Sequence, residues 1–364
     1  MEQKQKAILV DLIHPRMLKR MALERMVELE ELVHTYGGIV IVKAWQKRFA
    51  PHPKTYIGTG KVAMIGKEAQ ELGARFLIVN AELSPRQVYD LSEMLRPHKV
   101  EVWDRIDLIL KIFARHARTA EARLEIELAS VRHMGPRIFG MGMELSRQAG
   151  GIGTVGVGET NTQRMKRHLK EKERAIKEKL EKYENSRSLQ RDHRRRQGLK
   201  TISIVGYTNA GKTTLLNALT GRKEYAANEL FATLDTRVGQ LWLPSANTTA
   251  LITDTIGFIK DLPPELLNAF ASTLSEAMAA DLLLHIVDGS DPHWEKHVRV
   301  VDEILERLGV GSTPRILVFN KADQTTPALA LQIQNRLLER EYLWVSAEEK
   351  VGLNELIEDI EKRV

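Results

Sequence analysis

Gly206-Tyr207-Thr208-Asn209-Ala210-Gly211-Lys212-Thr213 is a complete G-x-x-x-x-G-K-[ST] phosphate loop. The apolar run Thr201-Ile202-Ser203-Ile204-Val205 before it reads as a strand, and Thr214-Leu215-Leu216-Asn217-Ala218-Leu219 after it reads as a helix. Strand, loop and helix in that order are the context the motif requires. Glycines let backbone N–H groups turn toward phosphate oxygens at the positive end of a helix. Lys212 is then the residue that neutralises β- and γ-phosphate charge, and Thr213 a Mg²⁺ ligand. The fold decided by this stretch is a doubly wound, mostly parallel α/β domain.

Three further signals follow in the order a GTPase requires. In Leu251-Ile252-Thr253-Asp254-Thr255-Ile256-Gly257, an apolar strand delivers Asp254 toward the metal, and the Gly257 N–H can reach the γ-phosphate. Loss of that phosphate would release the segment, which makes it a switch. Arg315-Ile316-Leu317-Val318-Phe319-Asn320-Lys321-Ala322-Asp323 is a buried strand ending in Asn-Lys-x-Asp. The Asp323 carboxylate can accept from guanine N1–H and N2–H₂ together, whereas adenine leaves it unpaired. Leu343-Trp344-Val345-Ser346-Ala347 ends in Ser-Ala, whose backbone can donate to guanine O6. An aspartate after a strand is often only a turn residue; four motifs in order on consecutive α/β units make the guanine reading.

The switch-I threonine is expected in Glu229-Leu230-Phe231-Ala232-Thr233-Leu234-Asp235-Thr236, with Thr233 the choice and Thr236 the alternative. The nucleotide set is therefore 206–214, Phe231, Ala232, Thr233, Asp254, Thr255, Ile256, Gly257, Asn320, Lys321, Ala322, Asp323, Ser346 and Ala347. Within it Lys212, Thr233 and Gly257 carry catalysis, and Thr213, Thr233 and Asp254 hold Mg²⁺. Phe258 follows Gly257 where many GTPases have a water-orienting Gln, and phenylalanine cannot hydrogen-bond water. Slow intrinsic turnover is expected, unless a partner supplies the group. Asn209 stands where a side-chain amide can help hold a monovalent cation, potassium being the candidate; a turn-capping Asn reads the same way.

The chain has 364 residues, 43% hydrophobic, enough for two or three cored domains. There is no cysteine, hence no disulfide framework and no thiolate metal site, which fits a reducing cytosol. No run of eighteen apolar residues appears, and the N-terminus lacks a signal-peptide shape, so a cytoplasmic protein without a membrane span is expected. The net charge is only +6 and the pI about 9.3. Between 164 and 200, however, fifteen bases face six acids. Such a stripe is a footprint for phosphate backbone, with Arg164, Lys166, Arg167, Arg194, Arg195 and Arg196 as RNA-contact candidates. The competing account is a solvated helix laced with i,i+4 Glu–Lys pairs.

Residues 1–105 alternate short apolar strands (7–10, 39–42, 76–79, 100–103) with helical runs (21–36, 61–72, 85–95), which implies a separate parallel α/β domain. Residues 106–198 read as a helical hairpin, 106–134 and 159–197, around a glycine-rich loop at 135–158. Its seams are Leu108, Ile112, Leu124, Leu128 and Val131 on one helix, and Met165, Leu169, Ile176, Leu180 and Tyr183 on the other. The G domain occupies 199–364. The dinucleotide-like glycines at 150–158 do not follow a strand and are discounted. His116, His133 and His168 are scattered and read as surface or RNA-facing, with no histidine cluster at metal-ligand spacing.

Taken together the chain resembles the HflX family of translational GTPases, in the Obg–HflX group. The resemblance covers nearly the whole length. It rests on Tyr56-Ile57-Gly58-Thr59-Gly60-Lys61, Glu82-Leu83-Ser84-Pro85-Arg86-Gln87, Asp104-Arg105, Ile112-Phe113-Ala114 and Ala117-Arg118-Thr119. Gly150 to Thr160, Phe231-Ala232-Thr233-Leu234-Asp235 and Asp254-Thr255-Ile256-Gly257-Phe258-Ile259 complete it. The resemblance implies a cytosolic GTPase that binds GTP and GDP, docks on the large ribosomal subunit and its rRNA, and splits or rescues stalled ribosomes under stress; a monomer is expected. Val155 and Val157 stand where the family usually has Arg and Pro, and Asn161 where it has Gln. Thr236 and Arg237 follow Asp235 where it has Pro-Thr. The extra C-terminal domain of some members is expected to be missing. The competing function is a regulatory switch that binds only proteins.

Overall fold

A computed structural model describes residues 4–148, 157–221, 231, 237–255, 257–259, 266, 278–338 and 340–364; the side chains of 136, 138–148, 157–162 and 195 lie outside the description. The chain packs as two compact units, Met1–Arg115 with Leu124–Lys179, and His116–Arg123 with Leu180–Val364.

The first unit is built on β1 (Lys6–Ile13), β2 (Ile39–Lys47), β3 (Phe76–Val79) and β4 (Glu101–Asp104). Their order is β2-β1-β3-β4, parallel throughout. Helices α1 (Lys19–Thr35), α2 (Thr59–Leu72) and α3 (Pro85–Leu95) are the crossovers. α3 opens with a capping box, Ser84 accepting from the Gln87 N–H and Gln87 from the Ser84 N–H. Ile8, Val10, Ile65, Leu77 and Leu91 are among the residues of a core with almost no solvent access. The strands are near-continuous apolar runs because a parallel sheet is covered on both faces.

α4 (Arg105–His116) and α5 (Ala120–Gln148) replace the single expected helix over 106–134. α5 also runs on through Gly135, Pro136, Gly140 and Gly142, so the expected loop at 135–158 is largely helical on its N-terminal side. The turn after Gly135-Pro136 is pinned by Arg137, which pairs with Asp104 and, at 2.7 Å, with Asp107. His133, one turn earlier, lies 3.5 Å from Asp104 and 3.3 Å from Asp107. These ion pairs override the poor helix propensity of glycine and proline. His133 is thus a half-buried ion-pair partner and not the surface or RNA-facing residue expected. Asp104, Asp107 and His133 have ligand-like spacing, a grouping of two carboxylates and one imidazole that histidine spacing does not address. Arg137 on both carboxylates, however, makes the group an ion network.

α6 (Val157–Arg196) follows. Of its expected seam only Ile176 is buried, and Met165 and Tyr183 are exposed. Ion pairs take the place of apolar contact: Arg132–Glu173 at 3.0 Å and Lys172–Glu127 at 2.8 Å in the first unit, and Arg187–Glu121 at 2.8 Å in the second. His116 is half-buried, its Nδ1 3.1 Å from the Phe231 carbonyl, which also departs from the surface reading. His168 is exposed, as expected.

The second unit carries a six-stranded sheet ordered β10-β9-β8-β5-β7-β6. Its strands are β5 (Thr201–Gly206), β6 (Arg237–Leu243), β7 (Thr248–Asp254), β8 (Leu282–Asp288), β9 (Arg315–Asn320) and β10 (Tyr342–Trp344). Only the β6–β7 pair is antiparallel. β5 therefore lies between β7 and β8, and the carboxyl ends of β5, β7, β8 and β9 open on one edge, where ligands bind in such sheets. Among the described residues, no helix is long and apolar enough to cross a membrane.

Candidate functional site

β5 ends at Gly206 and α7 (Lys212–Thr220) begins at Lys212, so the loop between them sits at the helix's positive end. Asn209 (φ +63°) and Gly211 (φ +86°) turn the backbone through the left-handed region. At Gly211 a Cβ would fall 2.2 Å from Asn320 Nδ2, so the loop needs glycine on two counts. Asn209 is exposed, while Thr208, Ala210 and Lys212 are buried, and Thr213 and Thr214 are half-buried. The Lys212 ammonium donates to the Tyr207 carbonyl of its own loop at 2.8 Å. Burial lowers its pKa to about 8, against the pull of the Asp254 charge.

Asp254, at the end of β7, is fully buried and accepts from the Thr213 hydroxyl at 2.7 Å. A hydroxyl and a carboxylate side by side are hard oxygen donors, a set that suits Mg²⁺. Thr255 turns its hydroxyl to the Ile204 carbonyl at 2.8 Å, so that side chain serves the sheet. Gly257 lies where a Cβ would be 3.0 Å from Lys212 Nζ and 2.9 Å from the Thr208 methyl, leaving only backbone against the lysine. Phe258 is fully buried. Its carbonyl accepts from the Thr208 N–H at 2.8 Å and its N–H donates to the Gly206 carbonyl at 3.1 Å, clamping this segment to the phosphate loop. Ala232, Thr233, Thr236 and Ile256 lie outside the described residues; Phe231 is buried at φ +58°.

The base-recognition motifs meet on the same edge. Asn320 Nδ2 donates to the Ala210 carbonyl at 2.9 Å, and Asn320 Oδ1 accepts from the Ala347 N–H at 3.0 Å. One amide thus ties the phosphate loop to both strand-end motifs. Lys321 takes φ +62° and pairs with Asp288 at 2.6 Å. Ala322 N–H donates to the Val345 carbonyl at 3.1 Å. Asp323 is exposed and accepts from the buried Ser346 hydroxyl at 2.5 Å, which aims the carboxylate while leaving its other oxygen for a ligand.

Two supporting features escaped the sequence reading. Asp288 closes β8 and holds Lys321, with the only sequence signal an acid at a strand end. His297 stacks flat on Tyr207, ring centroids 3.9 Å apart, across ninety residues of chain, and nothing local marks it. Of the basic stretch on α6, Arg164, Lys166, Arg167 and Arg196 are exposed and Arg194 is half-buried; the Arg195 side chain lies outside the description. Lys172, Arg174, Lys177, Arg187 and Arg191 are engaged in ion pairs.

Residues 201–321 match a family model described as 50S ribosome-binding GTPase. Residues 23–114 match the GTP-binding GTPase N-terminal model, and 116–194 the GTP-binding GTPase middle region. A protein named GTPase HflX from Caldanaerobacter subterraneus subsp. tengcongensis is 43% identical over 94% of this chain and 77% of its own length. The Escherichia coli protein of the same name is 36% identical over 97% of this chain and 82% of its own. Among solved structures, the complex of SsGBP with GDP superposes with a TM-score of 0.54 at 26% identity, covering 99% of this chain and 98% of that one.

Proposed function

Since the chain belongs to the HflX family of GTPases, we propose that it docks on the large ribosomal subunit and uses the GTP/GDP switch to split or rescue stalled ribosomes under stress. The observation that carries this is the match of 201–321 to a 50S ribosome-binding GTPase model, in a chain that also bears the basic stretch of α6. The GTPase chemistry itself converts GTP and water to GDP and phosphate.

In this reading Asp323, aimed by Ser346, accepts from the guanine edge, and the Ala347 region presents backbone donors to O6. Asn320 makes the two halves of the site one unit, so base recognition and phosphate binding are positioned together. On nucleotide entry the Lys212 ammonium leaves the Tyr207 carbonyl for the β- and γ-phosphates. Thr213 and Asp254 would hold Mg²⁺, with Thr233 as the third candidate; the ion, when bound, neutralises phosphate charge. Gly257 sits close enough to Lys212 for its N–H to report the γ-phosphate to the switch segment, with Phe258 as the anchor of that segment. Phe258 offers water no hydrogen bond, so hydrolysis is slow alone and accelerates when the subunit orders the switches or contributes a group. Potassium supports the rate if the Asn209 amide helps hold a cation; equal rates in sodium remove Asn209 from that role.

Co-sedimentation with large subunits tests the proposal, run with GDP and with a non-hydrolysable GTP analogue over a range of salt. The expected result is retention with the analogue, weaker retention with GDP, and loss as salt rises. Absence of co-sedimentation in every nucleotide state would move the chain to the competing class, a switch that binds only proteins.

A further inference from the structure

At the carboxyl end of the first unit's sheet, Ile13 of β1 stands opposite Lys47 of β2, and the Arg48 N–H donates to the Ile13 carbonyl at 3.0 Å. The turns that follow the two strands therefore leave side by side. His14 on one and Phe49 on the other meet edge to face, centroids 5.3 Å apart at 81°. Phe49 nevertheless remains 78% exposed. Single exposed apolar residues are ordinary; the setting of this one is not.

The loop that presents it is braced from within. His52 and Tyr56 exchange backbone hydrogen bonds at 2.8 and 2.9 Å. The His52 carbonyl accepts from Gln87 Nε2 at 3.0 Å, and Gln46 Oε1 accepts from the Gly58 N–H at 2.7 Å. Thr55 is buried, its hydroxyl on the Ile57 carbonyl at 2.6 Å. The ring is thus held out on a fixed frame, with little ordering entropy left to lose on binding.

The stretch of sequence that carries it has charge of one sign. Between Glu31 and Glu68 there is no acidic residue, while Lys43, Lys47, Arg48, Lys54, Lys61 and Lys67 all fall in that stretch. Lys47 and Lys54 are exposed, as are Arg16 and Lys19 on the neighbouring turn. A bare aromatic face among cations is the combination that takes an unpaired base on the ring and its phosphates on the bases around it.

We propose that the surface where the turns after β1 and β2 meet, centred on Phe49, binds single-stranded RNA by stacking an unpaired base on the Phe49 ring, with Lys47, Arg48 and Lys54 on its phosphates. The surface lies in the other compact unit from the nucleotide site and requires neither GTP nor an intact ribosome. Ribosome co-sedimentation and oligonucleotide binding can therefore fail separately.

The test uses the full chain and a fluorescein-labelled oligouridylate of about twelve nucleotides, within the length such surfaces cover, read by anisotropy. Phe49→Ala should weaken binding about tenfold, the loss of one stacked base, and Phe49→Trp should retain it. Neither should change affinity for a duplex RNA of the same length or for GDP. Lys47→Ala with Lys54→Ala should flatten the log–log salt dependence by about 0.7 per charge removed. Ultraviolet cross-linking should place the RNA on the tryptic peptide 49–54. Unchanged single-strand affinity in a Phe49→Ala protein of unaltered Tm would overturn the proposal. So would an equal loss on duplex RNA, or binding only to anionic vesicles.

Discussion

At the residue scale the site depends on contacts that admit few substitutes. Gly211→Ala puts a Cβ against Asn320 Nδ2 and forces alanine to φ +86°, strain of about 1–3 kcal/mol before the clash is counted. It should abolish GDP binding in calorimetry and also lower Tm; a variant that binds GDP normally would show that the Asn320–Ala210 tie is dispensable. Asp323→Asn keeps an acceptor for Ser346 but replaces the outward oxygen with a donor. GTP affinity should fall and xanthosine nucleotides should gain, measured by competition. The pKa of about 8 at Lys212 gives a sign for pH. Phosphate stabilises the ammonium, so the complex titrates higher than the apo protein. Affinity should be level below pH 8 and fall above it, approaching tenfold per unit until the complex itself titrates; a flat profile to pH 9.5 would contradict the burial of that amine. Lys212, Thr213, Asp254 and Asp323 were legible because each lies within a few residues of a motif. Asp288, His297 and the clamp made by the Phe258 backbone were not, because each acts through a partner distant in sequence.

At the element scale the junction of β4 and α4 is the informative case. Asp104 and Asp107 cap the helix reciprocally, Asp107 N–H to Asp104 at 2.8 Å and Asp104 N–H to Asp107 at 3.1 Å, and the same carboxylates receive Arg137 and His133 from α5. Burial alone would lower the His133 pKa, but the carboxylates of Asp104 and Asp107, 3.5 and 3.3 Å from Nε2, outweigh it and raise it to about 9. A folded pKa above the unfolded value means stability fully present below about pH 6.5 and lost as pH rises through 9. The Tm of the native protein should therefore drop between pH 7 and 10 more than that of His133→Gln; parallel curves would sink the assignment. The strands and crossovers of both sheets were readable from apolar runs and helical spacing, and α3 at Pro85–Leu95 matched to the residue. The helical pattern ends at 134 in the sequence because Gly135-Pro136 signals a break locally, whereas the two carboxylates that hold the next turn lie about thirty positions away.

On the scale of the whole molecule, the fold class followed from strand–helix alternation, but the docking surface does not follow from charge count. Lys172, Arg174, Lys177, Arg187 and Arg191 of α6 are engaged in ion pairs, and Arg196 near its carboxyl end is exposed. Replacing Arg194, Arg195 and Arg196 together by Ala should weaken ribosome co-sedimentation and shallow its salt dependence while leaving intrinsic GTP hydrolysis intact; unchanged retention would shift the contact to another surface. The position of β5 has a further effect, felt before the protein is finished. Its partners are β7 and β8, both made later, and the Ala210 carbonyl waits for an asparagine 110 positions downstream. At about 5–20 residues per second, a growing chain has its whole phosphate-loop sequence for several seconds, up to some twenty, before the other half of the pocket has been translated. Through that interval the nascent chain lacks Asn320, Asp323 and Ala347, and a chain truncated before β9 carries the motif without the amide that ties it to the base-recognition strands.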